Sequence, residues 1–227
     1  FELSSSKMSF GATVFEKNIY VCGGWAGGES LKDLEVFDCE KSTWIKLRPM
    51  KMARQNLAMT ALNGFIFVSG GEDSFKNVLS TVLQYSSQTN IWTEVKPMNA
   101  ARRGHNLVTL NGEIYAIGGD ETSTMERYCL STNEWTFVAS TYSGYWFFGA
   151  TVYQNKIYVL SENGFEVFDP NLNTWQNLPY LDIGRGTQLV VIDDKLWAVG
   201  GTDDDSGHRA TKALYEFDTT SNSWKKL

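Results

Sequence analysis

The chain has 227 residues, 42% of them hydrophobic and 20% charged, with a formal net charge of −6. That length buries a sizeable core in one large domain or two small ones, and the acidic balance argues against general binding to nucleic acid or anionic membrane, which needs a positive surface. No apolar run approaches the roughly 20 residues of a membrane span, and Cys22, Cys39 and Cys129, which form no CxxC pairing, read as small core residues in a reducing, cytoplasmic setting.

Along the chain one unit returns five times, over residues 4–47, 48–95, 96–138, 139–178 and 179–227. In the first, a strand turns at Glu16-Lys17, the second strand ends at Gly23-Gly24, Leu34-Glu35-Val36-Phe37 alternates as a third strand, and Trp44 opens a fourth. The second unit turns at Asn63-Gly64 and the third at Asn111-Gly112, the dipeptide that best fits a type I′ hairpin because both central positions need positive φ. Gly70-Gly71, Tyr85 and Trp92 then mark the second unit, and Gly118-Gly119, Tyr128 and Trp135 the third. The fourth turns at Gln154-Asn155 and carries Phe168 and Trp175, but Ser161-Glu162 replaces the glycine pair, which predicts a distorted sheet at that end. The fifth has Asp193-Asp194, Gly200-Gly201, Phe217 and Trp224.

Each unit reads as a four-stranded antiparallel meander, and no window sustains helical spacing. So small a sheet cannot cover both of its faces. Repeated copies solve this by stacking face to face around an axis, which predicts an all-β propeller whose first and last sheets keep one bare apolar face unless another unit closes the ring. The glycines allow close backbone approach at the end of the second strand. No helix follows to make them a phosphate loop.

A glycine pair ending the second strand, an aromatic seven positions before a tryptophan, and a period of about 40 to 50 residues resemble the kelch repeat. Met50-Lys51-Met52-Ala53-Arg54 and Met98-Asn99-Ala100-Ala101-Arg102, each before a first strand, resemble the BTB-kelch subfamily. The resemblance implies a kelch-type β-propeller with five four-stranded antiparallel blades here, part of a six-bladed ring, with Phe1-Glu2-Leu3 as the tail of a preceding blade. It further implies a substrate receptor: the propeller recognises a protein or peptide, while a BTB domain, absent from this chain, binds a cullin-3 ubiquitin ligase and can dimerise the parent protein. An actin-binding kelch scaffold is the alternative. Copper-enzyme relatives need clustered His and Tyr ligands, and this chain has His105 and His208 in loops of different units, so no metal, cofactor or catalysis is expected. Asp203-Asp204-Asp205 reads as a solvated acidic loop.

A meander sends its inter-repeat linkers and its second-to-third strand loops to one end, and variable loops on a rigid scaffold are the usual recognition surface. The linkers carry Lys7, Arg54, Arg102, Arg103 and Arg185, with His105 beside them, whereas the other loops carry Glu29, Glu72 and Asp120. This predicts a basic centre with an acidic rim, suited to a short acidic or phosphorylated peptide gripped by arginine. Tyr142, Tyr145 and Trp146 in one linker, and Trp25 in another loop, are candidate aromatic anchors.

Overall fold

A computed structural model describes residues 3, 5–120, 122–145, 148–202 and 210–227. The first sheet holds β1 (Gly11–Phe15) and β2 (Asn18–Cys22), then, after a small hairpin of β3 (Trp25–Ala26) and β4 (Glu29–Ser30), β5 (Leu34–Asp38) and β6 (Thr43–Lys46). The second holds β7 (Ala58–Leu62), β8 (Phe65–Ser69), β9 (Val82–Ser86) and β10 (Ile91–Val95), and the third β11 (Asn106–Leu110), β12 (Glu113–Ile117), β13 (Met125–Cys129) and β14 (Glu134–Val138). The fourth holds β15 (Gly149–Tyr153), β16 (Lys156–Ser161), β17 (Gly164–Asp169) and β18 (Thr174–Leu178), and the fifth β19 (Gln188–Ile192), β20 (Lys195–Val199), β21 (Leu214–Asp218) and β22 (Ser223–Lys226). Every sheet is an antiparallel meander in chain order, and the described residues include no helix. The molecule is a five-bladed β-propeller.

Turn chemistry repeats more strictly than turn sequence. Asn63-Gly64 and Asn111-Gly112 have positive φ at both central positions, and so do Glu16-Lys17, Gln154-Asn155 and Asp193-Asp194, so all five first hairpins share one left-handed geometry. Two positions before each recurrent tryptophan the backbone is left-handed again, at Ser42, Asn90, Asn133, Asn173 and Asn222. Asparagine tolerates that conformation better than most side chains, and it also works as an acceptor: Asn90 Oδ1 takes the Arg48 N–H and the Tyr85 hydroxyl, and Asn133 Oδ1 takes the Lys96 N–H and the Tyr128 hydroxyl.

The aromatic and the tryptophan seven positions later face each other across the third and fourth strands, with ring centroids 4.9 to 5.2 Å apart in all five blades. Such pairs add about 0.5–1.5 kcal/mol beyond their area. The indole N–H ties the blade to the chain that enters it: Trp92 donates to the Arg48 carbonyl, Trp135 to Lys96, Trp175 to Ala139 and Trp224 to Pro179, at 2.8 to 3.2 Å. At the opposite end of the second strand, a Cβ on Gly70 would lie 2.3 Å from the Arg102 carbonyl oxygen of the next linker, which is why no side chain fits there.

The fourth blade corrects one expectation. Its ladder continues regularly to Ser161 opposite Gly164, and the two residues between them close a tight turn, so each strand gains a residue where the other blades break for a loop. The glycine pair is unnecessary because the chain reverses at once instead of leaving the sheet.

Four apolar clusters fill the seams between successive blades, and the first strands pack neighbour on neighbour in the order β1, β7, β11, β15, β19. Among the described residues no packing of that extent joins β19 to β1. Exposed apolar side chains gather accordingly on the two outer blades, with Val14 and Ile19 on the first and Val191, Ile192 and Val199 on the fifth. Phe1 and Glu2, read as a preceding strand, lie outside the described residues.

Candidate functional site

The residue four positions before each first strand sits between blades, and the site is built from what it meets there. These residues are Lys7, Arg54, Arg102, Tyr145 and Gly184. The matching third-strand positions, two before the recurrent aromatic, are Glu35, Leu83, Glu126, Glu166 and Tyr215, and in three blades the two positions meet. Lys7 Nζ meets Glu35 Oε1 at 2.6 Å, with both side chains at most 1% exposed. Arg102 gives Nε and Nη2 to Glu126 Oε1 and Nη1 to the carbonyls of Gly118 and Thr124, again fully enclosed. The Tyr145 hydroxyl donates to Glu166, whose carboxyl burial pushes above the usual carboxylate range. Three buried acids thus meet three different side chains, and Glu126 and Glu166 also accept backbone N–H groups, from Asn99 and Ala100 and from Tyr142.

This arrangement overturns the free basic centre. Lys7 and Arg102 are consumed by buried carboxylates, because a buried charge is tolerated only when paired and hydrogen-bonded. Arg54 is 2% exposed; its Nη1 donates to the Gly70 carbonyl, but Leu83 stands where the carboxylate would be, and its Nε has no partner among the described residues. Tyr145, read as an exposed anchor, is 1% exposed. His105 is likewise buried; its Nε2 shares a hydrogen bond with the Ser69 hydroxyl at 2.7 Å, and burial, aided by the Arg102 charge, pushes the imidazole down to about 3, so the ring is neutral.

Two members of the acidic rim, Glu72 and Asp120, are also internally spent. Arg103 lies half-buried between Asp120 and Glu72 and pairs with both. Glu72 in turn accepts from Gln55 Nε2 at 2.8 Å, locking a linker to the loop of its own blade. Arg185 is exposed and holds Glu162 at 2.6 Å. Tyr142 is exposed, with its hydroxyl on the Trp175 carbonyl, and Trp25 is half-buried on β3. Trp146 and the acidic run 203–205 lie outside the described residues. Sequence reasoning missed Glu35, Glu126 and Glu166; their constant place two residues before the aromatic was the available signal.

The described residues of this face line two hollows of note. A shallow axial cavity of about 200 Å³ is bordered by residues from all five blades, among them Phe10, Asn56, His105, Phe148 and Gln188, and its lining carries no ionised side chain. A larger cleft of about 450 Å³ opens between the β3–β4 hairpin of the first blade and the loop after β8 in the second. No group of three or more His, Cys, Asp or Glu among the described residues could hold a metal ion, and those residues include no helix long and apolar enough to cross a membrane.

Comparison with known proteins agrees with the architecture. The family model described as the KLHDC2/KLHL20/DRC7 Kelch-repeats domain matches residues 4–119, and the Kelch motif matches 101–141 and 184–227. Kelch-like protein 23 of Homo sapiens is 27% identical over 97% of this chain and 41% of its own length. Alpha-scruin of Limulus polyphemus is 24% identical over 95% of this chain and 21% of its own. The chain spans well under half the length of these curated relatives. A solved structure of YjhT superposes with a TM-score of 0.84 at 13% identity, covering 97% of this chain and 84% of that one, a likeness of fold.

Proposed function

Because the chain belongs to the kelch-repeat family and forms a protein-interaction propeller, we propose that it is the substrate-recognition part of a larger protein that delivers a bound partner to a cullin-3 ubiquitin ligase. The carrying observation is the asymmetry of the molecule's two ends. One end repeats a single hairpin geometry in every blade, while the other bears loops that differ in length and sequence on the same rigid frame. Contact is assigned to the residues of that end that stay accessible, Trp25, Tyr142 and Arg185, flanked by the Arg103–Asp120 pair. An acidic or phosphorylated ligand is the less favoured partner, since Arg103 and Arg185 are the cations of that set still in reach and both already hold carboxylates.

Expressing the whole protein in cells and precipitating it tests both halves. Cullin-3 should come down with it, and a Trp25→Ala, Tyr142→Ala, Arg185→Ala variant should lose its other partners while keeping cullin-3. Failure to recover cullin-3 removes the ligase reading, and an unchanged partner set removes the loop face. The match to alpha-scruin keeps a cytoskeletal scaffold as the second reading; co-sedimentation of the chain with actin filaments would select it.

A further inference from the structure

Phe75 is 86% exposed, more than any other large apolar side chain among the described residues. The bare apolar residues of the outer blades lie on sheet faces, but Phe75 stands on a loop and serves no seam. A solvated phenylalanine on a floppy loop would mean little. This loop is held: Asp73 Oδ1 accepts the N–H groups of Phe75 and Asn77 at 2.8 and 2.9 Å, Asp73 Oδ2 accepts Asn77 Nδ2 at 2.9 Å, and the Asp73 and Lys76 amides close on the Asn77 and Asp73 carbonyls. Lys76 adopts a left-handed conformation to complete the turn. The backbone that carries the aromatic is therefore held in a fixed place, and its share of the ordering cost is met before any partner arrives.

Beside it lies the 450 Å³ cleft, walled on one side by Asp73, Ser74 and Lys76 and on the other by Trp25, Glu29 and Ser30. The hairpin wall has a definite chemistry. β3 is flanked by β4 and by a bridge to Met8, so β4 is the hairpin's free edge, and its backbone can pair with an extended chain. The opening carries two carboxylates, Glu29 on the hairpin wall and Asp73 on the loop wall, and one ammonium, Lys76, on the loop wall. Asp73 stays ionised, since the hydrogen bonds from Asn77 hold its carboxyl below the usual range, and neither Glu29 nor Lys76 has an ion pair among the described residues.

We propose that this cleft docks an extended segment of a partner protein that sets an apolar, best aromatic, side chain on Phe75 and Trp25 and a lysine or arginine beside Glu29. The inference rests on the recognition reading above and reverses the charge that the linker residues suggested for the ligand. The aromatic on its held loop supplies the anchor, the hairpin edge fixes the segment's direction, and the carboxylates select its charge.

Panning a random peptide library displayed on phage against the full chain tests this. Selected peptides should combine an apolar and a basic residue, and they should lose about tenfold or more in affinity for Phe75→Ala and for Glu29→Lys. Both side chains are exposed, so both variants should keep the parent's unfolding midpoint, and a thermal melt confirms it. Peptides that bind both variants as well as the parent would overturn the cleft while leaving the loop face standing. Selection of acidic peptides, or of none, would overturn the cleft as well.

Discussion

Blades two and three begin with the same phrase and use it differently. Met50 to Arg54 and Met98 to Arg102 occupy equivalent places, and each arginine donates Nη1 to the first glycine of its blade's pair, Gly70 or Gly118. In the third blade the guanidinium then finds Glu126; in the second the equivalent third-strand position is Leu83, and Nε has no partner among the described residues. The last linker position follows suit, with His105 in one blade and Leu57 in the other. A motif places a side chain, but the residue opposite, far along the chain, decides whether that side chain is a paired strut or a lone buried charge.

The largest effect expected from this contrast is Arg102→Met, which leaves the buried Glu126 carboxylate without its countercharge, held by the Asn99 and Ala100 N–H groups alone, and should cost about 3 kcal/mol in urea unfolding. Arg54→Met, which strands no carboxylate, should cost under about 1 kcal/mol. Equal losses would break the comparison.

Next comes the seam between the two blades. Gly70 and Gly118 share the left-handed conformation, with φ of 59° and 58°, but an added Cβ would sit 2.3 Å from the Arg102 carbonyl at Gly70 and no nearer than 3.5 Å to anything at Gly118. Gly70→Ala should therefore cost about 3 kcal/mol and Gly118→Ala about 1 kcal/mol. Comparable melting points for the two would show that conformation, not crowding, sets the requirement.

The smaller effect is one of pH. His105 is held from its ordinary 6.5 down to about 3, so between those values the unfolded chain binds a proton that the folded chain refuses, and stability falls as pH drops through that window. Replacing His105 with the leucine of the second blade removes this proton linkage. Between pH 6.5 and 5 the parent should lose about 1.6 kcal/mol more than His105→Leu. Parallel pH profiles would show that the imidazole is not buried neutral.

Most of the frame was legible in the sequence because it rests on local chemistry. The hairpin glycines, the paired aromatic and tryptophan, and the turn asparagines act within one repeat, so their spacing alone predicts the five sheets. The loop face was legible only as a place. Lys7, Arg54 and Arg102 looked like a ligand's grip because their partners are carboxylates on third strands, and alternation marks those positions simply as core. Glu35, Glu126 and Glu166 sit at positions that strand periodicity assigns to buried apolar residues. Phe75 was hidden for the opposite reason: a loop phenylalanine is ordinary until the Asp73 hydrogen bonds show that its backbone is held in place.

The claim beneath all of this is that the cations between the blades hold the fold and leave recognition to the exposed loops. A double-mutant cycle across Arg102 and Glu126, with Arg102→Met, Glu126→Leu and both together followed by urea unfolding, measures it directly. The account predicts a coupling of at least about 2 kcal/mol between the two side chains, beyond what Glu126 gains from the Asn99 and Ala100 N–H groups. Additive losses, with coupling near zero, would contradict it and return Arg102 to the list of residues free to bind a partner.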